Sequence, residues 1–299
     1  MGLLEDVRSS CAEIAAGARW VSIDPRALEG ALSDPPSPTT TPGLDPECHY
    51  LEGEPEDVAD YLLALTAINF GSGWFPAMRK RLIGGRPVSG YFTVAWGLSD
   101  HVRAHGVPTA AWLRAVSTPE IATILGQRPD LELMSLYAQA LRSLGGFLGE
   151  RRALEVVGAC GNSAERLAEY VARAMAMFDD RGFFKRAQIL ASDLALAGVA
   201  QFDDLDRLTI FADNLVPHVL RCDGVLVYDD GLAARIDSGT LLRGGGAERE
   251  IRACALHACE LISQRTGVPP RVLDNSLWNR GQAPEYKARP RHRCRTVFY

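Results

Sequence analysis

The chain has 299 residues, 47% of them apolar and 23% charged, with a net charge of −5. That balance describes a globular protein with enough chain to bury a sizeable core, and it argues against a nonspecific nucleic-acid binder. No apolar run reaches membrane-spanning length, and the N-terminus carries Glu5 and Asp6 where a signal peptide has its apolar core. The seven cysteines are scattered without a Cys-x-x-Cys pair, so a cytoplasmic protein with reduced thiols is expected.

Helical periodicity begins at once, with Leu3, Leu4, Val7, Cys11, Ile14 and Ala15 marking a helix over 4–18. Prolines at 35, 36, 38 and 42 make 33–43 an irregular connector. A strongly apolar helix is predicted over 56–70, ending in a Gly-rich turn with Trp74 and Phe75, and another over 91–105. Thr118, Pro119 and Glu120 read as cap, first turn and acidic N-terminal residue of the next helix. Further helices are predicted at 131–148, 162–178 and 183–199, and shorter ones at 203–221 and 229–237. The apolar stretch 224–228 fits a short strand or, for want of an evident partner, a turn between two helices. The last strong helix is 248–264, and residues 296–299 are extended. Strand-like alternation is scarce and no internal repeat is present. The expectation is one mainly α-helical domain over 1–299, with an N-terminal helix and connector occupying 1–45.

Acids in apolar surroundings point to chemistry, because a buried carboxylate must be paired, hydrogen-bonded or neutralised. Asp213 lies within the apolar run 209–217 and reads either as a helix cap or as a carboxylate facing a pocket beside Phe211. Asp274 sits two residues after Val272 and four before Trp278. Gly244, Gly245 and Gly246 precede a helix, but Glu248 and Glu250 in its first turn repel phosphate, which favours a plain loop. His101 and His105 are four apart with no third ligand in sight, so no metal site is expected. His49 follows the connector as a surface-loop residue or part of a lid. Lys185 and Arg186 open an apolar helix, either as solvated side chains or as an anion contact. The ending carries Lys287, Arg289, Arg291, His292, Arg293 and Arg295 and then Val297, Phe298 and Tyr299. That apolar finish favours docking on the body, with one or two arginines pointing inward.

In order along the chain stand Asn69-Phe70, Ser89-Gly-Tyr91, Phe184 to Leu190, Phe211-Ala-Asp213 with Val216-Pro217, and Glu250-Ile-Arg252 with Glu260 to Ile262. Leu273-Asp274 with Leu277-Trp278, and His292-Arg293 with Arg295, complete the set. Together, from about residue 49 to the end, they resemble the queuosine 5′-phosphate N-glycosidases of queuosine salvage. The resemblance implies a helical fold similar to helix-hairpin-helix DNA glycosylases. It also implies hydrolysis of queuosine 5′-monophosphate to queuine and ribose 5-phosphate, feeding queuine salvage for tRNA modification. The family's catalytic acid falls on Asp213, and its base contacts on His49, Phe211, Asp274, Asn275 and Asn279. Asn214, Asn275 and Asn279 depart from the residue types common in the family.

Chemistry agrees with that implication. Breaking an N-glycosidic bond develops oxocarbenium character, which one carboxylate stabilises. Phe211 and Trp278 can stack on a flat base, worth about 1–3 kcal/mol per stacked base. Lys185, Arg291, Arg293 and Arg295 are the cations available for a 5′-phosphate. No metal or redox cofactor, no polymeric nucleic acid and no membrane is called for, and a monomer suffices. The competing readings are a noncatalytic modified-base binder and a DNA glycosylase; the acidic net charge opposes the latter, as does a turn Gly-Val-Leu-Val-Tyr at 224–228 without the flanking glycines and lysines that grip a phosphate backbone.

Overall fold

A computed structural model of the chain describes residues 2–33 and 44–299. The predicted connector at 33–43 lies, beyond Ser33, outside the described residues. The protein is mainly helical, and among the described residues no helix is long and apolar enough to cross a membrane. Two compact units share the chain. The first comprises Met1–Pro42, Arg181–Lys185 and Asp204–Thr296; the second comprises Gly43–Asp180, Arg186–Asp203 and Val297–Tyr299.

The first unit is built around the helix Ala247–Thr266. Its buried positions run round the whole cylinder, from Glu248, Glu250 and Arg252 through Cys254, Ala258 and Ile262. A helix buried on every side needs partners on every side. It packs against the helices Leu3–Ala16, Pro25–Ser33, Val216–Cys222 and Pro270–Arg280 and against the strand Val21–Ile23. That strand pairs antiparallel with Leu226–Tyr228, Val21 opposite Tyr228. Within the 224–228 stretch, Leu226–Tyr228 is therefore a strand and not part of a turn between helices. Its partner lies two hundred residues away, which local pattern cannot reveal.

The second unit packs the helix Pro55–Ala67 against Gly90–His105, Glu132–Leu148 and Ala153–Ala159. Ala110–Ala115 crosses Glu132–Leu148 so closely that a Cβ at Gly145 would lie 2.6 Å from the Arg114 amide nitrogen, which explains the glycine. The helix Thr118–Ile124 is capped by Ser117 and not by Thr118. Ser117 Oγ accepts from the Glu120 amide while Glu120 Oε2 accepts from the Ser117 amide at 2.8 Å, a reciprocal capping box. The helix expected over 162–178 stops at Ala174 and continues as a 3-10 turn, Ala176–Phe178. Arg186 is 1% exposed, so the solvated reading of that side chain fails. Its guanidinium lies between the rings of Phe70 and Phe178 at 4.8 and 4.6 Å and donates to the carbonyls of Ala67 and Val297 at 2.7 and 2.9 Å. Burial brings its pKa down to about 9.

Candidate functional site

The helix expected over 203–221 is not formed as one piece. A 3-10 turn, Leu205–Arg207, is followed by irregular chain, and a helix resumes only at Val216–Cys222. Between them burial alternates: Ile210, Ala212 and Asn214 are buried, whereas Phe211 and Asp213 are half-buried. A period of two puts Phe211 and Asp213 on the same, partly open side. The Asp213 carboxylate is anchored through one oxygen. Oδ1 accepts from the amides of Leu215 at 2.6 Å and Val216 at 3.1 Å, closing the turn into the helix. Oδ2 accepts no hydrogen bond among the described residues. Cap and pocket readings thus divide between the two oxygens of one side chain.

Asp274 pins the same segment from the neighbouring helix, Pro270–Arg280. It is 6% exposed, and its Oδ1 accepts the Phe211 amide proton at 2.7 Å. Trp278 follows at i+4, on the Asp274 face of the helix, and packs against the core of the unit. Asn279 spends its amide on the carbonyl of Asn275 at 2.7 Å. The half-buried Asn275 amide has no hydrogen-bond partner among the described residues, and the half-buried Phe211 ring meets no other ring or cation there.

The basic ending is folded and not a solvated tail. Leu242 donates to the Arg293 carbonyl at 2.8 Å and bridges Cys294, while Arg293 Nη2 donates to Gly239 O at 2.6 Å. Arg289 lies 3.7 Å from Asp237, and Arg295 is exposed. Arg291 differs from these: it is half-buried, and its guanidinium makes no hydrogen bond or ion pair with the described residues. Burial lowers its pKa, and Asp213 lies close enough to oppose that shift. Lys185 is buried, 6% exposed, and follows Phe184, which holds a left-handed φ of 49°. Such a conformation costs a bulky residue about 1–3 kcal/mol and is kept where the surroundings impose it. In the glycine loop 244–246, Glu248 Oε2 itself takes the Gly245 amide at 3.3 Å.

His49 belongs to the second unit and is 3% exposed, so its side chain is buried and the surface reading fails. Its Nδ1 donates to Asp45 O at 2.9 Å and its Nε2 accepts from the Tyr91 hydroxyl at 2.8 Å, the neutral tautomer. Burial lowers its pKa, in keeping with that form. His101 and His105 stack at 4.6 Å on their helix, and no group of three metal-ligating side chains is assembled among the described residues.

Two residues without an assigned role at the sequence level stand beside the Asp213 segment. Asn214 Nδ2 donates to the carbonyl of His292 at 3.3 Å, and Arg252 Nε donates to the carbonyl of Ala212 at 2.9 Å. In the sequence Arg252 stands in the ordered set of motifs and Asn214 departs from the family's usual residue type, but neither carries a role there. The His292 imidazole is 2% exposed, and burial first, then Arg252, His218, Arg291 and Arg221, brings its pKa down to about 3. Between its ordinary value of 6.5 and about 3 the unfolded chain binds a proton that the folded chain refuses. Stability is therefore complete above that window and falls as the pH drops through it, by up to about 1.4 kcal/mol per pH unit for one such histidine. Urea unfolding between pH 6 and pH 4 is expected to show this slope and His292→Asn to flatten it; an unchanged slope in the variant would exclude His292 as its source.

The first unit thus defines a class: a helical protein with a half-buried carboxylate, anchored through one oxygen, flanked by a half-buried aromatic ring, an amide-bearing helix face and an arginine that makes no hydrogen bond or ion pair with the described residues. The family model for the queuosine salvage protein matches residues 48–299. A queuosine 5′-phosphate N-glycosylase/hydrolase of Sphaerobacter thermophilus is 35% identical over 283 residues, covering 87% of each chain. Those of Mus musculus and Bos taurus are 29% and 27% identical, covering 72% and 83% of this chain and 74% and 83% of their own. The chain belongs to the queuosine salvage protein family.

Proposed function

We propose that this protein is an N-glycosidase that hydrolyses queuosine 5′-monophosphate, releasing queuine for salvage into tRNA modification and leaving ribose 5-phosphate. The observation that carries the proposal is the divided Asp213 carboxylate. Oδ1 is held by two backbone amides, which fixes the group, and Oδ2 accepts no hydrogen bond among the described residues, on a side chain half-buried like that of Phe211. As the bond from C1′ to the base nitrogen lengthens, positive charge builds on the ribose and Oδ2 stabilises it. Water then gives its hydroxyl to C1′, and its proton goes to the base nitrogen. The preorganisation costs nothing at the moment of reaction, because the backbone already holds the carboxylate in place.

Phe211 stacks on the base, Asp274, Asn275 and Asn279 address its polar edge, and Trp278 backs that helix face. Arg291 takes the 5′-phosphate, with Lys185 as a second cation. The protein acts as a cytoplasmic monomer, and its seven free cysteines are in keeping with that compartment. The mainly helical architecture supports kinship with helix-hairpin-helix glycosylases. Incubation with queuosine 5′-phosphate, followed by chromatography for free queuine and ribose 5-phosphate, tests the activity; a chain that binds the nucleotide but releases neither product is a binder.

Asp274→Ala is expected to weaken queuine binding at least about tenfold in calorimetry. It removes a base-facing carboxylate and strands the Phe211 amide, and an unmet buried donor costs about 1–3 kcal/mol. Asp274→Asn keeps an acceptor for that amide and is expected to lose less. Unchanged affinity in the alanine variant would return Asp274 to a purely structural role.

A further inference from the structure

We infer that Arg252 is a positioning residue for the reaction, acting through the peptide that joins Ala212 to Asp213. The inference rests on the hydrolase reading above. Arg252 lies near the start of the central helix Ala247–Thr266 and is 3% exposed. A guanidinium so deeply buried is costly unless its charge and donors are met. Its plane lies over the Phe183 ring, 3.9 Å from the centroid, its Nη1 is 3.5 Å from Glu248 Oε1, and its Nε donates to Ala212 O at 2.9 Å.

Ala212 is the one residue between the ring and the carboxylate of the site. Its carbonyl belongs to the peptide group that carries Asp213, so holding that oxygen fixes the rotation of the plane on which the Asp213 Cα sits. The neighbouring anchors cannot do this alone. Asp274 holds the Phe211 amide on one side, and the Leu215 and Val216 amides hold Asp213 Oδ1 on the other. Between them the Ala212 peptide can tip, and Oδ2 would swing with it.

The same side chain reaches back to the segment that leads into Lys185. Phe183 is buried beneath Arg252, with Arg249 5.3 Å from its ring centroid and donating to Arg181 O at 2.9 Å. Gly182 at φ 91° and Phe184 at φ 49° mark a chain bent to seat that ring. Arg252 thereby couples the peptide before Asp213 to the chain that presents Lys185. Lysine cannot replace it, since it lacks both the planar stacking face and the Nε donor.

The test compares Arg252→Lys with the unmodified protein on queuosine 5′-phosphate, alone and in an Asp213→Asn background. Arg252→Lys is expected to lower kcat about 30- to 100-fold with KM changed less than about threefold, since a misplaced reacting group costs rate more than affinity. In the Asp213→Asn background the same change is expected to alter residual hydrolysis, followed over long incubations, by less than about threefold, because residues acting as a unit are non-additive. If Arg252→Lys does not fold, Phe183→Leu takes its place. It removes the stacking surface, and a kcat loss of about five- to tenfold at constant KM is expected. Losses that multiply in full across the double variant, or a kcat unchanged while the unmodified protein turns over, would overturn the positioning role and leave the hydrolase reading intact. An unmodified protein that releases no queuine overturns both.

Discussion

Asp213→Asn is expected to reduce queuine release from queuosine 5′-phosphate at least about 1,000-fold while moving the melting temperature by no more than about 3 °C. The separation follows from the two oxygens. Asparagine keeps an Oδ1 acceptor for the Leu215 and Val216 amides, so the turn into the helix Val216–Cys222 survives. What it removes is the negative charge on the open side. Asp213→Ala is expected to lose activity equally and also about 0.5–2 kcal/mol of stability, because it leaves both amides without their acceptor. Initial rates and thermal melts of the two variants decide the matter. Near-normal turnover in the asparagine variant would remove Asp213 from the chemistry, and a large drop in its melting temperature would assign it to the turn alone.

The second large effect concerns the phosphate. The nucleotide is expected to exceed the free nucleoside at least about 100-fold in kcat/KM, and Arg291→Gln to narrow that ratio at least about tenfold. Arg291 is favoured because its guanidinium makes no hydrogen bond or ion pair with the described residues, whereas Arg293 already serves the Gly239 carbonyl. Burial also makes the Arg291 charge costly, a debt that a phosphate dianion would relieve. Phosphate lies remote from the bond that breaks, so its binding energy orients the ribose and its loss should lower kcat as well as raise KM. Charge reversal at Lys185 is expected to narrow the ratio too, and Arg293→Gln to leave it unchanged. Equal kcat/KM for nucleotide and nucleoside in the unmodified protein would refute the phosphate site. A silent Arg291 change beside an effective Lys185 change would move it.

Much of the helical framework was legible in the chain, and the reason is local. Val58, Leu62 and Leu65, or Ile251, Ala255, Ala258 and Ile262, recur at the helical period wherever one face meets a core, and the observed helices Pro55–Ala67 and Ala247–Thr266 follow those runs. The local signal failed where partners were distant. Residues 224–228 look like a turn until Val21–Ile23 supplies the other strand, and 208–213 look helical until Asp274 and Arg252 bond to their backbone. The ordered set of short motifs, from Asn69-Phe70 to His292-Arg293, points to the queuosine salvage family from the residues alone, and the family match over 48–299 agrees.

What the sequence determined by itself was the class of protein and the carboxylate most worth watching, since helical periodicity and a single acid in an apolar run are both properties of neighbours in the chain. Tertiary structure decided what surrounds that acid. Asp213 Oδ1 is held by the amides of Leu215 and Val216, its near neighbours in the chain. The bonds that fix the adjoining backbone, Asp274 to Phe211, Arg252 to Ala212 and Asn214 to His292, bring residues 63, 40 and 78 positions apart to 2.7, 2.9 and 3.3 Å. Hydrogen bonds act only at that range and only in the right direction, so their pairing is settled by packing and leaves no periodic trace in the order of the residues.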